Sequence, residues 1–241
     1  ELVKELNSNH LDKVILSRVL KQECNHSPST IYKRLLQEYP NAFVYQIESS
    51  ILGTWIGATP EILMKSFDNE LSTVSLAGTK SANDVSEWKS KEKEEQQFVT
   101  DYIEQCLIDL NIDVKSKSSP VEHLAGPVKH LKTTFTFDDS IDKVELLKAL
   151  HPTPAVCGIP KHLAKNWIKD NEPHERKLYT GMIGEMTEEC NMYVNLRCMQ
   201  LIDQNAFLYV GGGYTKDSIP EMEWQETERK AMTLLNVLNK S

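Results

Sequence analysis

Two pairs of glutamates with identical spacing are the residues of this sequence best suited to chemistry. Glu92 and Glu95 lie in SKEKEEQQFV, and Glu223 and Glu226 lie in PEMEWQETERK. Residues three apart share one face of an α-helix, so each ExxE pair presents two carboxylates on one side. Oxygen ligands suit Mg²⁺ better than Zn²⁺, which usually recruits His or Cys. The pairs predict a magnesium site; a di-iron site is the alternative, although its Glu-x-x-His pattern is missing.

The first pair opens a predicted helix and lies on its apolar side. In 86–110 a helical projection puts Glu92 at the centre of the apolar stripe and Glu95 at its edge. Acidic side chains also favour helix N-termini because of the helix dipole, which is the structural alternative. That alternative does not explain inward carboxylates, which are costly to bury unless they are paired or bound to a metal.

The second helix, 221–239, carries a lysine as well as glutamates on its inward side. Its apolar arc contains Trp224 and encloses Glu223 and Lys230, with Glu226 at the border. Charged side chains on the face that a helix buries are unusual unless they have partners.

Other polar residues stand in apolar surroundings. Lys13 and Arg18 flank VILS in a predicted strand, and their odd spacing puts them on opposite faces. Glu61 follows a proline in GATPEIL, where it is either exposed in a turn or buried as a general acid. Arg197 interrupts the apolar strand YVNLRCMQL, and His151 begins HPTPAVCGIP; each is either functional or a satisfied structural residue.

Composition narrows the class of partner. The 241 residues carry a formal net charge of −8, which argues against a nucleic-acid surface or an anionic membrane. The five cysteines lack CxxC or CxH spacing, which indicates free thiols in a reducing cytoplasm. No apolar run approaches the roughly 20 residues of a membrane span. The sequence begins with Glu1 and shows no signal peptide.

Hydrophobic periodicity predicts an α+β fold with largely antiparallel sheets, because the strands come in runs rather than alternating with helices. The predicted strands are 14–20, 42–49, 54–64, 71–78, 132–137, 192–201 and 206–213, and the predicted helices are 29–38, 86–110, 140–149 and 221–239. Residues 111–131, which include Gly126 and Pro127, are expected to form a long loop. We expect one domain, 1–241.

In order and spacing, a series of segments resembles the chorismate-utilising enzymes, the family of isochorismate, salicylate, anthranilate and aminodeoxychorismate synthases. The segments are DKVILSR, IGATPEIL, LAGTK, SKEKEEQQFV, LHPTPAVCGIPK, ERKLYTGMIGE, YVNLRC, LYVGGGYTKDSIPEMEWQETERK and TLLNVL. The resemblance runs from about residue 10 to the end of the sequence, so it covers nearly the whole of it.

The resemblance implies a layered αββα fold with two largely antiparallel sheets flanked by helices, similar to anthranilate and aminodeoxychorismate synthases. It corresponds to the chorismate-binding domain; family members usually have a further N-terminal region, which we do not expect in this chain. The implied substrate is chorismate. We expect a cytoplasmic monomer with no nucleic-acid, membrane or obligate glutaminase partner.

Within the family, three features point to the branch that uses water rather than ammonia. Lys13 stands where isochorismate and salicylate synthases carry the base that activates water. Ala77 stands where aminodeoxychorismate enzymes carry a nucleophilic lysine, and HPTPAVCG replaces a Pro-Ala-Gly version of the nitrogen-transferring enzymes. The resemblance therefore implies an isochorismate synthase, serving menaquinone or siderophore synthesis. Salicylate synthase, which goes on to eliminate pyruvate, and an inactive chorismate-binding fragment are the alternatives.

The resemblance also assigns roles to residues. Lys13 is the implied base with a lowered pKa, Glu61 is the acid that protonates the leaving C4 hydroxyl, and His151 orients the leaving region. The implied Mg²⁺ ligands are Glu95 and Glu226, with Glu92 and Glu223 as direct or water-mediated helpers. The implied substrate contacts are Gly78, Thr79, Tyr179, Arg197, Gly211, Gly213 and Lys230.

Three departures from the family pattern stand out. Glu95-Gln96 replaces the usual Glu-His, LAGTK replaces LAGTR, and Gly211-Gly212-Gly213 replaces Gly-Ala-Gly. None removes a proposed catalytic group, and the first alters the surroundings of a metal ligand.

Overall fold

The computed structural model describes residues 2–7, 11–125 and 128–240. In chain order the elements are α1 (Leu2–Leu6), β1 (Lys13–Glu23), α2 (Pro28–Glu38), β2 (Phe43–Ser49), β3 (Gly53–Thr59), β4 (Ile62–Phe67), β5 (Glu70–Ser81), α3 (Ser90–Asp109), β6 (Val114–Lys117), β7 (Val121–Ala125), β8 (Val128–Asp138), α4 (Lys143–Leu150), β9 (Gly158–Ile159), α5 (Lys161–Asn171), β10 (Met182–Met186), β11 (Cys190–Val194), β12 (Cys198–Ile202), β13 (Asn205–Thr215) and α6 (Pro220–Leu238).

These elements divide into two compact units, each built on one sheet. Unit 1 takes the described parts of 1–60, 156–181 and 194–241, and unit 2 takes those of 61–155 and 182–193. Unit 1 contains the sheet β2-β3-β12-β13-β1-β9, and unit 2 contains the sheet β10-β11-β4-β5-β8-β6, in which β7 also pairs with β8. The fold is therefore α+β with two antiparallel sheets and associated helices, which confirms the predicted class.

Unit 1 buries α2 and α6 against its sheet. Their shared core consists of Cys24, Ile31, Leu35, Ile56, Ala58, Met199, Ala206, Leu208, Leu234, Val237 and Leu238. In the long pairing of β1 with β13, Leu16 lies opposite Gly212 and Ile15 lies opposite Gly213. Successive residues of a strand point to opposite faces. Leu16 and Gly212 therefore share one face, while Ile15 and Gly213 share the other.

Unit 2 packs α3 on β5 and β8, with α4 beside α3. Ile103 and Leu107 of α3, Leu71 of β5, and Phe135 and Phe137 of β8 are each at most 1% exposed. The predicted periodicity of α3 and of the strands LSTVSLAG and KTTFTF is thus reflected in what this unit buries.

Local signals place the two ExxE pairs at helix starts, as predicted. α6 has Pro220 at its first position and Glu221 and Glu223 in its first turn, where the helix dipole favours carboxylates. α3 begins at Ser90, and Glu92 is its third residue.

Two segments predicted as single strands are each divided between the two sheets, so those predictions were wrong. Residues 54–64 form β3 and the start of β4, separated by Pro60 and Glu61. Residues 192–201 form the end of β11 and most of β12, with Arg197 between them at a left-handed φ of 49°. A continuous apolar run indicates burial, but it does not reveal where a chain leaves one sheet for another.

The prediction of a long loop at 111–131 was also wrong. β6, β7 and the first residues of β8 occupy this segment, while Gly126 and Pro127 lie outside the described residues. β6 is exposed along its whole length, so its sequence lacks hydrophobic alternation. α5 was not among the predicted helices, although Leu163, Ala164, Trp167 and Ile168 recur at helical spacing in it, and the last three pack in a buried apolar cluster.

The five cysteines are buried free thiols, as the sequence predicts: Cys24, Cys106, Cys157, Cys190 and Cys198. Among the described helices, none has both the length and the apolar character that crossing a membrane requires.

Candidate active site

Unit 1 gathers several predicted site residues around the glycine run of β13. Lys13 begins β1, is 5% exposed, and pairs with Thr215. A Cβ built on Gly213 would lie 3.2 Å from Lys13 Cε and 3.9 Å from its Nζ. Because Gly213 has no side chain, the Lys13 side chain has room to lie against it.

Tyr179 covers Gly211. A Cβ on Gly211 would lie 2.8 Å from the Tyr179 hydroxyl oxygen and 2.9 Å from the backbone oxygen of Leu16. The Tyr179 ring is 4% exposed and stacks on Tyr209 with a centroid distance of 5.7 Å. Burial raises the pKa of Tyr179, so its hydroxyl stays protonated at neutral pH and can donate a hydrogen bond.

α6 approaches the other face of β13, at Gly212. A Cβ there would meet the Glu223 backbone oxygen and Thr227 Cγ2 at 3.5 Å. Glu223 is 5% exposed, and its carboxylate accepts a hydrogen bond from the Ser218 hydroxyl at 2.9 Å. This burial confirms the inward direction predicted for Glu223.

Lys230 and Glu226 form an ion pair on α6. Lys230 Nζ lies 2.6 Å from Glu226 Oε1 and donates to the Gly211 backbone oxygen at 3.0 Å. Lys230 therefore links the helix to the glycine run, and a carboxylate such as that of Glu226 has lone pairs for more than one partner.

Trp224 does not belong to the core of unit 1, so that prediction was wrong. It is 53% exposed, and the Arg18 guanidinium lies 3.8 Å from its ring centroid. Arg18 reaches α6 while Lys13 lies at Gly213, which confirms that these two residues leave β1 on opposite faces. A ring stacked by a cation keeps part of its surface in water, and an apolar projection cannot anticipate this.

Arg197 stands where the chain enters β12 rather than inside a strand. Its backbone oxygen accepts a hydrogen bond from the Ala58 N–H at 3.1 Å, and the residue is partly buried. Arg197 therefore lies in unit 1, as Lys13 and Tyr179 do.

In unit 2, Gly78 and Thr79 lie at an irregularity of β5 beside the start of α3. The pairing of β5 with β8 shifts register between Ala77 and Thr79, and Gly78 has a φ of 67°. A Cβ on Gly78 would lie 2.7 Å from the Glu92 backbone oxygen. Glycine alone combines this left-handed conformation with so close an approach.

His130, which the sequence did not reveal as a site residue, holds the irregularity from β8. Its Nδ1 lies 3.1 Å from the Gly78 backbone oxygen and 3.2 Å from Thr79 Oγ1. The signal was weak because His130 alternates with apolar residues in VKHLKTTFTF like any half-buried polar side chain.

Glu92 and Glu95 of α3 are both partly buried, while the neighbouring Glu94 is exposed. Glu92 accepts a hydrogen bond from the backbone N–H of Lys89 at 3.0 Å, so its carboxylate also caps the start of α3. Gln96, Val99 and Ile103 are buried and follow Glu92 at helical spacing, so Glu92 shares the side of α3 that faces the sheet, as predicted.

Gln96, next to Glu95, anchors α3 to the sheet. It is 2% exposed, and its side-chain oxygen accepts from the Ala77 N–H at 3.1 Å. Its nitrogen donates to Ser75 Oγ at 2.8 Å and to Thr133 Oγ1 at 3.1 Å. Where the resemblance expects a histidine, this chain fixes the helix with an amide that does not titrate.

Glu61 and His151 also belong to unit 2. Glu61 is partly buried between Pro60 and β4. His151 is partly buried at the C-terminal cap of α4, where its N–H donates to the Leu147 oxygen at 3.0 Å.

Glu92 and Glu95 lie in unit 2, and Glu223 and Glu226 lie in unit 1. Within 2–7, 11–125 and 128–240, no group of three or more His, Cys, Asp and Glu side chains is gathered so that it could hold a metal ion. Their oxygen donors fit the ligand preference of Mg²⁺. The assembly of Glu92, Glu95, Glu223 and Glu226 around one ion stays a prediction.

Comparison with known proteins decides the family. A family model described as chorismate binding enzyme matches residues 1–239. This chain belongs to the chorismate-binding enzymes. It is 29% identical over 243 residues to isochorismate synthase EntC of Escherichia coli strain K12, an alignment that covers 94% of this chain and 62% of that protein. It is 30% identical over 257 residues to anthranilate synthase component 1 of Lactococcus lactis, covering 97% and 55%.

A solved structure extends the likeness to the fold. The structure of MenF, the menaquinone-specific isochorismate synthase from Escherichia coli, matches this chorismate-binding enzyme with a TM-score of 0.87 and 27% identity. The match covers 99% of this chain and 59% of that one. The chain therefore spans less than two thirds of the length of these relatives, and isochorismate synthases are among the proteins to which it is similar.

Proposed function

We propose that this chorismate-binding enzyme is an isochorismate synthase that converts chorismate to isochorismate with Mg²⁺. The observation that carries the proposal is Lys13, which is 5% exposed and lies against Gly213. Identity to an isochorismate synthase and to an anthranilate synthase is nearly equal, at 29% and 30%. The site residues must therefore decide between them: Lys13 matches the branch that adds water, and Ala77 argues against the aminodeoxychorismate enzymes.

The reaction needs a base and an acid acting at two ends of one allylic system. Lys13 would take a proton from water as the water oxygen bonds to C2, and the ring double bonds shift. Glu61 would give a proton to the C4 hydroxyl, which leaves as water. One water is consumed and one is released, so the net reaction is an isomerisation. Proton exchange with solvent would reset both groups, and His151 would orient the leaving region.

Cations and hydrogen-bond donors would hold the substrate carboxylates. Tyr179 is suited to this because its hydroxyl stays protonated. The proposed contacts are Tyr179, Arg197, Lys230 and the backbone of Gly78, Thr79, Gly211 and Gly213. Mg²⁺, bound by Glu95 and Glu226 with Glu92 and Glu223 as helpers, would neutralise a substrate carboxylate. A chain with a net charge of −8 could then accept a dianion.

Product analysis tests the proposal directly. Purified protein is incubated with chorismate and Mg²⁺, and the products are separated by chromatography. Isochorismate supports the proposal. Salicylate with pyruvate would replace it with the salicylate synthase alternative, and no product would leave a chain that binds chorismate without turnover.

Two substitutions test the acid and base. Lys13→Ala and Glu61→Gln should each lower isochorismate formation by about 100-fold or more, because positioned acids and bases contribute about that much. Lys21→Ala provides the control, since Lys21 lies on the same strand but is exposed. Full activity in Lys13→Ala or Glu61→Gln, with an unchanged melting temperature, would overturn the assignment of that residue.

A further inference from the structure

Both ExxE helices are fastened to their own sheet by the same kind of contact, a tryptophan against a cation near the first turn. In unit 1 the Arg18 guanidinium lies 3.8 Å from the ring centroid of Trp224. In unit 2 the Lys80 ammonium lies 4.9 Å, and that of Lys129 6.0 Å, from the ring centroid of Trp88. We propose that these cation–tryptophan clamps position the glutamate pairs for Mg²⁺. The inference rests on the proposed function and adds positioning residues to it.

In the Arg18 clamp, Arg18 makes three contacts with one turn of α6. The guanidinium stacks on Trp224, Nε donates to Thr227 Oγ1 at 2.9 Å, and Nη2 forms an ion pair with Glu228. Trp224 precedes Glu226 in the sequence, and Thr227 and Glu228 follow it. A planar guanidinium can stack and donate in fixed directions at the same time, which a lysine ammonium cannot do.

The Trp88 clamp closes the loop that leads from β5 into α3. Lys80 is 7% exposed, and its Nζ donates to the backbone oxygens of Ser86 at 2.7 Å and Glu87 at 2.8 Å. Trp88, which directly precedes the cap residue of α3, donates its ring N–H to Glu122 at 2.8 Å.

Glu122 ties this loop to β8 as well. Lys129, also 7% exposed, lies 2.9 Å from the same Glu122 carboxylate. Lys80 is the residue of LAGTK where the family pattern has arginine, so the departure keeps a cation at the ring. The loop, its tryptophan and the start of α3 are thus held by two nearly buried lysines.

Apolar packing alone does not fix the first turns of these helices. The buried apolar residues of α6 lie in its second half, at Ala231 and beyond, whereas most of its first two turns are exposed. In α3 the buried residues begin at Gln96, beyond both glutamates. Carboxylates that bind a metal must be held to within a fraction of an ångström. The clamps lie at the right end of each helix to contribute to this, beside the hydrogen bond of Ser218 to Glu223 and the ion pair of Lys230 with Glu226.

The clamp of α6 is tested by Arg18→Met and Trp224→Leu. We expect each to weaken Mg²⁺ binding by about tenfold or more, the range found when groups that support metal ligands are removed. Binding is measured by calorimetry on the free protein, and independently from the Mg²⁺ concentration that gives half-maximal turnover. The rate at saturating Mg²⁺ should change little, because neither residue is among the proposed substrate contacts. Trp88→Leu should act in the same way on α3.

Arg34→Met is the matched control because it loosens the other end of α6. Arg34 Nη1 donates to the backbone oxygens of Val237 at 3.1 Å and Lys240 at 2.7 Å. This variant should lower the melting temperature and leave Mg²⁺ affinity unchanged. If Arg18→Met fails to fold, Arg18→Lys, which keeps the charge but loses the fork, should still weaken Mg²⁺ binding.

The outcomes separate this inference from the proposed function. If the Arg18 and Trp224 variants lose stability as Arg34→Met does but bind Mg²⁺ like the wild type, the clamps are only structural and the inference is wrong. If the wild type binds Mg²⁺ but forms no isochorismate, the proposed function fails while the calorimetric comparison still decides the inference. If the wild type binds no Mg²⁺, both fail.

Discussion

An ion pair with a buried carboxylate and a partly buried guanidinium supports the segment that carries Tyr179. The side chain of Glu172 is 3% exposed and pairs with Arg176 at 2.6 Å. Glu172 also accepts from the Ser17 N–H at 2.7 Å, and Arg176 donates to backbone oxygens of Ile15 and Val156. A buried pair is tolerated when its remaining donors and acceptors have partners, as here. The pair joins β1 to the approach to Tyr179, but its sequence, NEPHER, is typical of an exposed loop.

His174, beside this pair, should make the stability of the protein depend on pH. Its Nε2 lies 3.0 Å from Ser17 Oγ, next to Glu172 and Arg176, and its ring stands edge-on to Tyr209. Burial, helped by Arg176 and opposed by Glu172, lowers the pKa of His174 below its ordinary value of 6.5. As pH falls through that ordinary value, the unfolded chain takes up the proton first. The free energy of unfolding therefore decreases below about pH 6.5.

Urea titrations between pH 5 and pH 8 measure this effect. His174→Gln should flatten the loss of stability on the acid side, whereas His162→Gln, at an exposed position of α5, should leave it as in the wild type. Equal pH dependence in the wild type and both variants would remove His174 as its source.

At the scale of elements, the glycine run lets two sets of neighbours lie close to β13. α6 lies on one face, and Lys13 and Tyr179 lie on the other. A Cβ at Gly211 would meet Tyr179 and the Leu16 backbone at less than 3.0 Å, whereas one at Gly212 would meet α6 at 3.5 Å. The middle position has space for a methyl group. The family pattern Gly-Ala-Gly agrees with this difference.

Two alanine substitutions on neighbouring residues should therefore behave differently. Gly211→Ala should lower the free energy of unfolding by about 1–3 kcal/mol, because overpacking forces the backbone of β1 or the Tyr179 ring to move. Gly212→Ala should be neutral or stabilise by up to about 1 kcal/mol, because alanine restricts the unfolded chain more than glycine does. Chemical denaturation measures both. Equal losses in the two variants would contradict the register of β1 and β13.

Sequence periodicity predicts those features that depend on residues close together in the sequence. It predicted that Glu223 points inward, because the apolar arc of α6 lies within one helix, and that Lys13 and Arg18 leave β1 on opposite faces. It missed Gln96, His130 and the stacking of Trp224, since their partners come from strands distant in sequence. It also could not show that 54–64 and 192–201 pass from one sheet to the other, because both sheets bury apolar residues alike.

At the scale of the whole molecule, the proposed Mg²⁺ and substrate should stabilise the fold by mass action. A ligand present at about 100 times its dissociation constant adds about 2.7 kcal/mol to the free energy of unfolding. For a chain of this size that corresponds to a rise of about 5–10 °C in melting temperature. We expect such a rise with Mg²⁺ and chorismate together, measured by differential scanning fluorimetry.

Substitution of two glutamates of α6 distinguishes metal binding from general charge effects. Glu226→Gln should remove the Mg²⁺-dependent part of the rise, because an amide is a weaker Mg²⁺ ligand than a carboxylate. Glu221→Gln changes the same charge at an exposed position of α6 and should keep the rise. A loss in both variants would mean that Mg²⁺ acts by screening the net charge of −8 rather than by binding Glu226. A rise kept in both would exclude Glu226 from the ligand set.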